Sequence, residues 1–468
     1  MFRHCLSKSV YAPPVRFAGG VSVKPQKLGD KTHIETVIVA LGQYLNTGNT
    51  MLGAFCKGNL KEPVALFSEK TRPVMHEFSK DLYMHLSFKD EEATGKGIFS
   101  GPPKGYYYKI DADVIKFEPE NNKIYLQDKV YTYDHMILAG EYQFDWDKVK
   151  NMEKSIKDFW NSKITSTAQV HTAKMVWRTS LDFRGGNFVY SFPKSPYKNE
   201  GTNHIFMLFD QFTRDIKVEG QWYGSKFIVT TPDTFLHRIP WVNEKLIDMA
   251  NKRGIEIRYK RQLEEIRYSN MQDAHRVSDL IYKNLETGEQ EVINYGSAFV
   301  YPEAKVPEVV KQFCDESGHV AVDHESLVHK KYSNVFAIGE IANIPTISNC
   351  IGICAQAKVV AGNLGYLKKG MHTHYHYDGV TATPIFTGWH KLIMPGFRYG
   401  GEEVSTKLTT DTTTPILSSL MQSLSFTLFK RYEKKWFEKK LQGKIFGPPG
   451  WKKYVKGKVH AEEEKAKH

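Results

Sequence analysis

The stretch from Thr36 to Thr50, TVIVALGQYLNTGNT, constrains the fold of this chain most strongly. Its run of β-branched residues is typical of a buried strand, and the run leads directly into a short turn that contains glycine. This order is that of the strand, turn and helix that open a dinucleotide-binding βαβ unit. The stretch therefore predicts an α/β fold with a parallel sheet.

The glycines of this turn depart from the G-x-G-x-x-G fingerprint of dinucleotide-binding turns. In the direct register the three positions are Ala40, Gly42 and Leu45. Leu45, or Tyr44 next to it, is then expected to obstruct the pyrophosphate sterically. A looser register uses Gly42 and Gly48, with an elongated turn between them.

Two acidic residues, Glu69 and Glu141, affect the predicted dinucleotide-binding site. An acidic residue about twenty positions beyond the turn would contact the ribose hydroxyls, and the looser register places Glu69 there. The direct register places Ser68 there instead, which would bind more weakly. The last strand of the first unit ends at Gly140, and Glu141 then brings a negative charge beside a pocket meant for an anionic cofactor. Together these departures predict that the turn does not hold a dinucleotide cofactor tightly.

A second unit of alternating strands and helices follows in the chain. With 468 residues, the chain is long enough for two packed domains. Strands are predicted at 185–193 and 224–233, and a helix at 204–215. Residues 243–266 predict an amphipathic helix that stops at Gly254 and is followed by a strand. This order again indicates a parallel sheet.

Charge and cysteine content exclude several classes of protein. The net charge is +12, and residues 430–468 carry 13 Lys or Arg against 5 Asp or Glu, or +8. No nucleic-acid-binding motif accompanies this basic block, so we expect no nucleic-acid partner. Five cysteines without paired spacing exclude a disulfide framework and zinc sites. Residues 1–29 are basic and have no apolar core, which predicts a mitochondrial transit peptide.

Three later segments carry a more specific signal. NVFAIGEIANIPT (334–346) and the following AQAKVVAGNL (355–364) give a strand, the pair Gly339–Glu340 and an alanine-rich helix. The other two segments are FPKSPYKNEG (192–201) and YDGVTATPIFTGWHKLIMPGF (377–397). In the order and spacing of these motifs, from about 33 to 455, the chain resembles the mitochondrial-type sulfide:quinone oxidoreductases, which are two-dinucleotide-domain flavoproteins.

The resemblance implies a fold with two Rossmann-like domains. Residues 30–150 together with 300–400 would form the FAD-type domain, and residues 151–299 the second, NAD-like domain. Residues 401–468 would form a basic, amphipathic C-terminal region.

The resemblance also implies a cofactor and a reaction. Family members bind FAD, oxidise sulfide with a pair of cysteines and pass electrons to ubiquinone. The cofactor contacts that it would transfer to this chain are Gly42, Gly48, Glu69, Gly140, Gly339 and Glu340, with Glu340 at the place of an Asp that binds a ribityl hydroxyl.

The two catalytic cysteine positions of the family fall near Asn199 and on Thr383. No cysteine lies between Cys56 and Cys314, and none follows Cys354. Asn and Thr cannot form a persulfide, so the sulfide chemistry of the family is expected to be absent.

Two other groups of side chains are candidate sites. Cys350 and Cys354 lie one helical turn apart, which fits either a relocated redox pair or small residues in a packed core. His372, His374 and His376 alternate along the chain, which fits either a metal site or an exposed loop or edge strand. No acidic or cysteine partner is evident for the histidines, so no metal is expected.

The C-terminal region predicts a contact with a membrane surface or with a partner subunit. Residues 415–446 carry apolar side chains at helical spacing, interleaved with lysines and aromatic residues. Residues 415–458 would therefore lie on an anionic membrane surface or dock on a partner subunit.

Three functions are compatible with these features. We expect a catalytically degenerate relative of sulfide:quinone oxidoreductase, without bound FAD, which acts as an accessory subunit of a respiratory-chain or other mitochondrial inner-membrane complex. The alternatives are an active FAD enzyme that delivers electrons to ubiquinone, and a module that binds lipid or quinone without flavin.

Overall fold

The architecture is that of a computed structural model. It describes residues 29–43, 45–57, 64–69, 107–168, 176, 183, 185–197, 225–270, 272–273, 276–383, 385–388, 391–393 and 395–404. The predicted helix at 204–215, the position Asn199, the presequence and the C-terminal amphipathic region lie outside these residues.

The first sheet contains seven strands: β1 (His33–Leu41), β2 (Val64–Phe67), β3 (Tyr107–Ile110), β4 (Lys116–Glu118), β5 (Lys123–Tyr125), β6 (Val130–Gly140) and β17 (Val335–Gly339). Their order is β3-β2-β1-β6-β5-β4, and β17 also pairs with β6. The pairs β1–β2, β1–β6, β2–β3 and β6–β17 are parallel, whereas β4–β5–β6 is an antiparallel meander. The carboxyl ends of β1, β6 and β17 therefore meet at one edge, where an α/β sheet carries its ligand site.

The second sheet has five parallel strands: β8 (Ile164–Thr165), β9 (Asn187–Ser191), β10 (Lys226–Thr230), β11 (Glu256–Arg258) and β15 (Ser297–Val300). Their order is β11-β10-β9-β15-β8. Along β9, Phe188 and Tyr190 enter one hydrophobic cluster and Val189 another. Alternating side chains of a strand point to opposite faces, so this sheet is covered on both sides.

The remaining strands form small antiparallel units. β12 (Arg261–Tyr268), β13 (Ser278–Asn284) and β14 (Gln290–Asn294) form a meander beside the second sheet. The two-stranded units are β7 (Gln143–Asp145) with β16 (Glu303–Lys305), β18 (Thr381–Ala382) with β21 (Gly396–Phe397), and β19 (Ile385–Gly388) with β20 (Lys391–Ile393).

The described helices are α1 (Asn46–Lys57), α2 (Met152–Lys157), α3 (Phe159–Ser162), α4 (Pro240–Lys252) and α5 (Cys350–Leu367), with 3-10 turns at Pro119–Asn121, Glu308–Phe313 and Tyr399–Gly401. α5 begins after Asn349, whose side chain accepts from the backbone amides of Ile351 and Gly352. α1 and α5 pack on each other and on the first sheet. Among the helices that the structure describes, none is long and apolar enough to cross a membrane.

The α/β class predicted from the sequence is confirmed. The helix, glycine and strand predicted within 243–266 occur as α4, Gly254 at φ +68° and β11–β12. The predicted strands at 185–193 and 224–233 occur as β9 and β10.

Candidate functional site

Gly42 begins the turn that follows β1. Its φ is +89°, a conformation that glycine adopts without steric cost. A Cβ at this position would lie 1.9 Å from the backbone oxygen of Glu141. The turn therefore packs directly against the segment that follows β6, and only glycine fits there.

Gly48 lies in the first turn of α1 and brings that helix close to β1. A Cβ on Gly48 would lie 2.7 Å from the Ala40 Cβ and 3.4 Å from the Leu66 Cδ1. Close packing of helix and strand is the role of the third glycine in the fingerprint. The geometry therefore favours the looser register, with Gly42 and Gly48 as its glycines.

The expected steric effect of Leu45 is wrong. Leu45 is buried in the hydrophobic core of the first sheet, and its Cδ1 lies 3.5 Å from where a Gly48 Cβ would be. Because Gly48 takes the place of the third glycine, the Leu45 side chain packs inward instead of blocking the turn. Tyr44 lies outside the described residues.

The N-terminus of α1 holds a carboxylate from its own chain. Glu141 is 0% exposed, and its Oε1 accepts from the backbone amide of Thr47 at 3.3 Å and from the Thr47 hydroxyl at 3.2 Å. The first amides of a helix have no partner within the helix, and its positive end favours an anion. In a dinucleotide-binding turn this place receives the pyrophosphate. Here the Glu141 carboxylate occupies it.

Backbone contacts hold Glu141 in this place. Its amide donates to Leu41 O at 3.1 Å, and the amide of Gln43 donates to Tyr142 O at 3.2 Å. The segment Glu141–Tyr142 thus extends the β1–β6 pairing past the end of the sheet and over the turn. The sequence alone indicates a negative charge at Glu141. It does not indicate that Thr47 contacts Glu141, because threonine residues inside helices are common.

The Gly339–Glu340 pair lies at the same edge of the sheet. Gly339 has φ +89°, and a Cβ there would lie 2.2 Å from Gly140 O and 2.9 Å from the Thr47 Cγ2. The carboxylate of Glu340 is buried, and its Oε2 accepts from the backbone amide of Tyr142 at 2.8 Å. The structure thus brings together four of the six predicted contact residues, Gly42, Gly140, Gly339 and Glu340, and Gly48 follows Thr47 in the first turn of α1.

Glu69, the sixth predicted contact, stands apart from this group. Glu69 is exposed, whereas Ser68 is buried and its hydroxyl donates to Glu69 O at 3.2 Å. A cavity of about 140 Å³ lies at the carboxyl end of β1, lined by Gly42, Phe67 and Asp113 among others, but not by Glu69. Ligand pockets usually measure roughly 300–1,000 Å³, so this space is small for the adenosine half of a dinucleotide.

A larger cavity, of about 300 Å³, lies between the two sheets. Its walls include Tyr142 after β6, Glu340 after β17, Tyr197 after β9, Arg238 before α4, and residues 342–349, which lead into α5. The Tyr142 hydroxyl and His319 Nε2 lie 2.8 Å apart at this wall. Tyr142 and His319 could not be predicted from the sequence, because neither belongs to a recognisable motif.

Thr383, at the second cysteine position of the family, is buried beside the N-terminus of α5. Asn349 Nδ2 donates to the Thr383 Oγ1 at 3.3 Å and to Ala382 O at 2.9 Å, while the Asn349 Oδ1 accepts from the Thr381 hydroxyl at 2.8 Å. A thiolate at a helix N-terminus is activated by the helix dipole. Thr383 instead forms a neutral hydrogen bond that ties strand to helix.

The described cysteine thiols lie in buried or half-buried places. Cys354 is buried in α5, and Cys350 is the first residue of that helix, with a side chain outside the described set. Cys314 is half-buried, and burial, with help from Asp315 and Glu308, raises its pKa to about 11. A thiol with a raised pKa is a poor nucleophile at neutral pH.

The histidines at 372–376 lie in a segment between α5 and β18. His376 Nδ1 is 2.6 Å from the Glu325 Oε2, and the His374 ring packs on Tyr366 with centroids 4.4 Å apart. Within the described ranges, no group of three or more His, Cys, Asp or Glu side chains is arranged to hold a metal.

Comparison with known proteins identifies relatives of this architecture. The chain is 28% identical over 322 residues to the mitochondrial sulfide:quinone oxidoreductase of Mus musculus, over 68% of this chain and 69% of that protein. No family model matches the sequence.

Two solved structures share the fold. A chain of the Tetrahymena thermophila mitochondrial ATP synthase superposes with a TM-score of 0.76 and 21% identity, over 91% of this chain and 100% of that one. The sulfide:quinone oxidoreductase of Aquifex aeolicus superposes with a TM-score of 0.63 and 14% identity, over 84% and 90%. The similarity in sequence to the mitochondrial enzymes, together with this shared two-sheet fold, confirms the resemblance that the motifs indicated. The chain is similar in sequence to the mitochondrial sulfide:quinone oxidoreductases and shares the fold of a solved sulfide:quinone oxidoreductase.

Proposed function

We propose that this chain is a relative of the sulfide:quinone oxidoreductases that has lost FAD and sulfide chemistry and acts as a structural subunit of a mitochondrial inner-membrane complex. The observation that carries the proposal is the Glu141 carboxylate at the N-terminus of α1. A pyrophosphate would have to displace this buried carboxylate from the Thr47 amide and hydroxyl. Two anions cannot share one helix terminus without strong repulsion.

A second contact supports the loss of the cofactor. In the family, the acidic residue at position 340 is expected to bind a ribityl hydroxyl. Here the Glu340 carboxylate accepts from the Tyr142 amide instead. The segment Glu141–Tyr142 therefore places a carboxylate at the N-terminus of α1 and also engages Glu340, and these residues do not fit a bound FAD.

The chemistry of the cysteine positions supports the loss of activity. Thr383 is engaged by Asn349, and the other position falls near Asn199. Neither side chain can form a persulfide. The buried Cys354 and the high-pKa Cys314 offer no evident substitute.

The assembly part of the proposal has a different basis. The solved structure with a TM-score of 0.76 is a chain of a mitochondrial ATP synthase. We infer that this chain likewise belongs to a large mitochondrial assembly, of the ATP synthase type or of the respiratory chain. The basic C-terminal region, at 415–458, would attach it peripherally to the inner membrane or to a neighbouring subunit.

Native purification tests the assembly proposal directly. The endogenous chain, tagged at its C-terminus, is extracted from mitochondria in mild detergent and separated on a native gel. The proposal predicts comigration with a large inner-membrane complex, with the tagged chain present at a fixed ratio to the other subunits. A chain that runs as a free monomer contradicts the assembly role.

The second candidate function is an active FAD enzyme that reduces ubiquinone. The cavity of about 300 Å³ beside Glu340 favours it, because its volume is that of a small-ligand pocket. A purified protein with a flavin spectrum that sulfide bleaches would support this alternative. Bound lipid or quinone in a colourless protein would instead support a flavin-free binding module.

A further inference from the structure

Three consecutive backbone amides without an acceptor border the larger cavity. Ile347, Ser348 and Asn349 lie directly before α5, and all three line this cavity of about 300 Å³. Within the described part of the chain, no oxygen accepts a hydrogen bond from their amides. Ile347 and Asn349 are each only 5% exposed. Buried amides are almost always paired in native proteins, and water or a ligand takes the place of an acceptor that the chain does not supply.

The electrostatics at this end of the cavity favour an anion. α5 has 18 residues, and the positive end of its dipole lies next to residues 347–349. Successive backbone amides at such a place bind the oxygens of an anion. The Asn349 side chain already accepts from the amides of Ile351 and Gly352, so the amides that remain for a ligand are those that precede the helix.

A guanidinium group lies beside these amides. Arg238, which precedes α4, lines the same cavity, and its Nη2 donates to the backbone oxygen of Thr346 at 3.5 Å. This contact places a positive charge next to Ile347. Arginine and backbone amides together are a common arrangement for the oxygens of a phosphate or carboxylate. The Ser348 hydroxyl accepts from Gln356 Nε2 at 3.2 Å, and its own hydrogen is a further donor on this wall.

Another part of the cavity wall carries acceptors. Glu340 lines the cavity, and its Oε2 accepts from the Tyr142 amide at 2.8 Å. His319 Nδ1 lies 3.0 Å from the Ser317 carbonyl oxygen, which only accepts, so Nδ1 carries the hydrogen in the neutral ring. His319 Nε2 therefore accepts from the Tyr142 hydroxyl at 2.8 Å. The carboxylate and the phenol oxygen favour a ligand hydroxyl and would repel a second anionic group.

We propose that the larger cavity binds a small hydroxylated oxyanion, that is, an organic phosphate or carboxylate with a neighbouring hydroxyl group. The oxyanion would accept from the amides of 347–349 and from Arg238, and the hydroxyl would donate to Glu340. The volume of about 300 Å³ suits a ligand of this size and is small for a dinucleotide. This inference rests on the proposed loss of FAD, because the family contact at Glu340 would otherwise bring a flavin to the same wall.

Ligand binding by the full purified chain tests this inference. The probes are glycerol 3-phosphate and glycerate, with inorganic phosphate and acetate as the matched anions that lack a hydroxyl, and glycerol as the neutral control. Titration calorimetry measures affinity, and hydrogen exchange measures protection of the amides of 347–349. We expect glycerol 3-phosphate or glycerate to bind about tenfold more tightly than its matched anion and to slow exchange at these amides. The tighter of the two identifies the oxyanion as phosphate or carboxylate, and glycerol should not bind.

Arginine variants locate the bound oxyanion. Arg238→Met should weaken binding about tenfold or more, because it removes a charge-assisted hydrogen bond. Arg238→Lys keeps the positive charge and should retain part of the affinity. The matched control is Arg267→Met, because Arg267 pairs with Glu265 on β12 and does not line the cavity. It should bind as the wild type does, and the unfolding midpoint of each variant is measured in parallel.

The results that would overturn the inference are distinguishable. If the folded wild type binds neither hydroxylated anion, the cavity holds water only, while the loss of FAD stands. If an anion binds equally to the wild type and to folded Arg238→Met without protection at 347–349, it binds elsewhere. If the matched anions bind as tightly, the hydroxyl contact at Glu340 is wrong. If the purified chain carries a stoichiometric flavin, the proposed function itself fails.

Discussion

The Glu141 carboxylate accepts two hydrogen bonds from Thr47, one from its amide at 3.3 Å and one from its hydroxyl at 3.2 Å, at the first turn of α1. Glu141 follows β6, and its carboxylate thereby accepts hydrogen bonds from the first turn of α1, the helix that follows β1. The family fold uses this place for a cofactor phosphate, and here the contact is part of the protein. The chain should therefore be stable without any ligand at this site.

Removal of the Glu141 carboxylate should destabilise the protein. In Glu141→Ala the buried amide and hydroxyl of Thr47 lose their acceptor, at a cost of about 1–3 kcal/mol. Glu141→Gln keeps an acceptor oxygen of similar reach and should cost less. Urea unfolding of the two variants measures the difference, and equal stability of Glu141→Ala and the wild type would show that the contact is dispensable.

Gly42→Ala should be strongly destabilising. The new Cβ would lie 1.9 Å from the Glu141 oxygen at a positive φ, so both a clash and backbone strain oppose folding. We expect a loss of roughly 2–5 kcal/mol from strain and overpacking together. Gly370→Ala is the control, because Gly370 has φ +70° and nothing within 4 Å of its Cβ, and it should cost only about 1 kcal/mol. Equal costs would contradict the close approach at Gly42.

Cysteines at the two family positions should not restore sulfide oxidation. The double variant Asn199→Cys, Thr383→Cys supplies two thiols, but under the proposed function no bound flavin accepts their electrons. Sulfide-dependent reduction of a soluble quinone analogue should stay at the background rate. Measurable turnover by the double variant would mean that the flavin site is intact.

Thr383→Val should lower the free energy of unfolding by about 1 kcal/mol, because it removes the acceptor of the Asn349 amide, whereas Thr383→Ser should stay near the wild type.

Acid should destabilise the folded chain through His237. Burial, and next the charge of Arg238, lowers the pKa of His237 to about 3 from the usual 6.5. The unfolded chain therefore takes up a proton below about pH 6.5 that the folded chain refuses, and stability falls as the pH drops toward 3. Between about pH 6 and about pH 4 this single group contributes a slope of up to about 1.4 kcal/mol per pH unit.

His237→Asn is the matched variant for this effect. Its amide oxygen can replace the His237 Nδ1, which accepts from the Ile239 amide at 3.1 Å, and the side chain does not titrate. The difference between wild type and variant in unfolding free energy should shrink as the pH falls, because carboxylates contribute equally to both. Parallel pH profiles would show that His237 is not buried in a neutral form.

Much of the fold followed from local patterns. The buried run Val37–Val39 predicted β1, the amphipathic pattern and Gly254 predicted α4 and β11, and the apolar run before Glu340 predicted β17. These signals depend on side-chain periodicity and on backbone angles that only glycine adopts readily, so they can be found in a single sequence.

The contacts that close the site could not be predicted in the same way. The bond between Glu141 and Thr47 joins residues 94 positions apart, and that between Tyr142 and Glu340 spans 198 positions. The expectation for Leu45 is wrong for a related reason, since the sequence alone does not decide whether Gly48 or Leu45 packs α1 against β1. Such contacts depend on how the strands are ordered in the sheet, which the local sequence does not specify.

The flavin content of the native protein tests the central claim most directly. The chain is purified from mitochondria under non-denaturing conditions, its visible spectrum is recorded, and flavin released by heat or acid is quantified per mole of protein. We predict a colourless protein with far less than one flavin per chain, and no gain on incubation with excess FAD. A stoichiometric flavin with the visible absorption bands of a bound isoalloxazine would contradict the account.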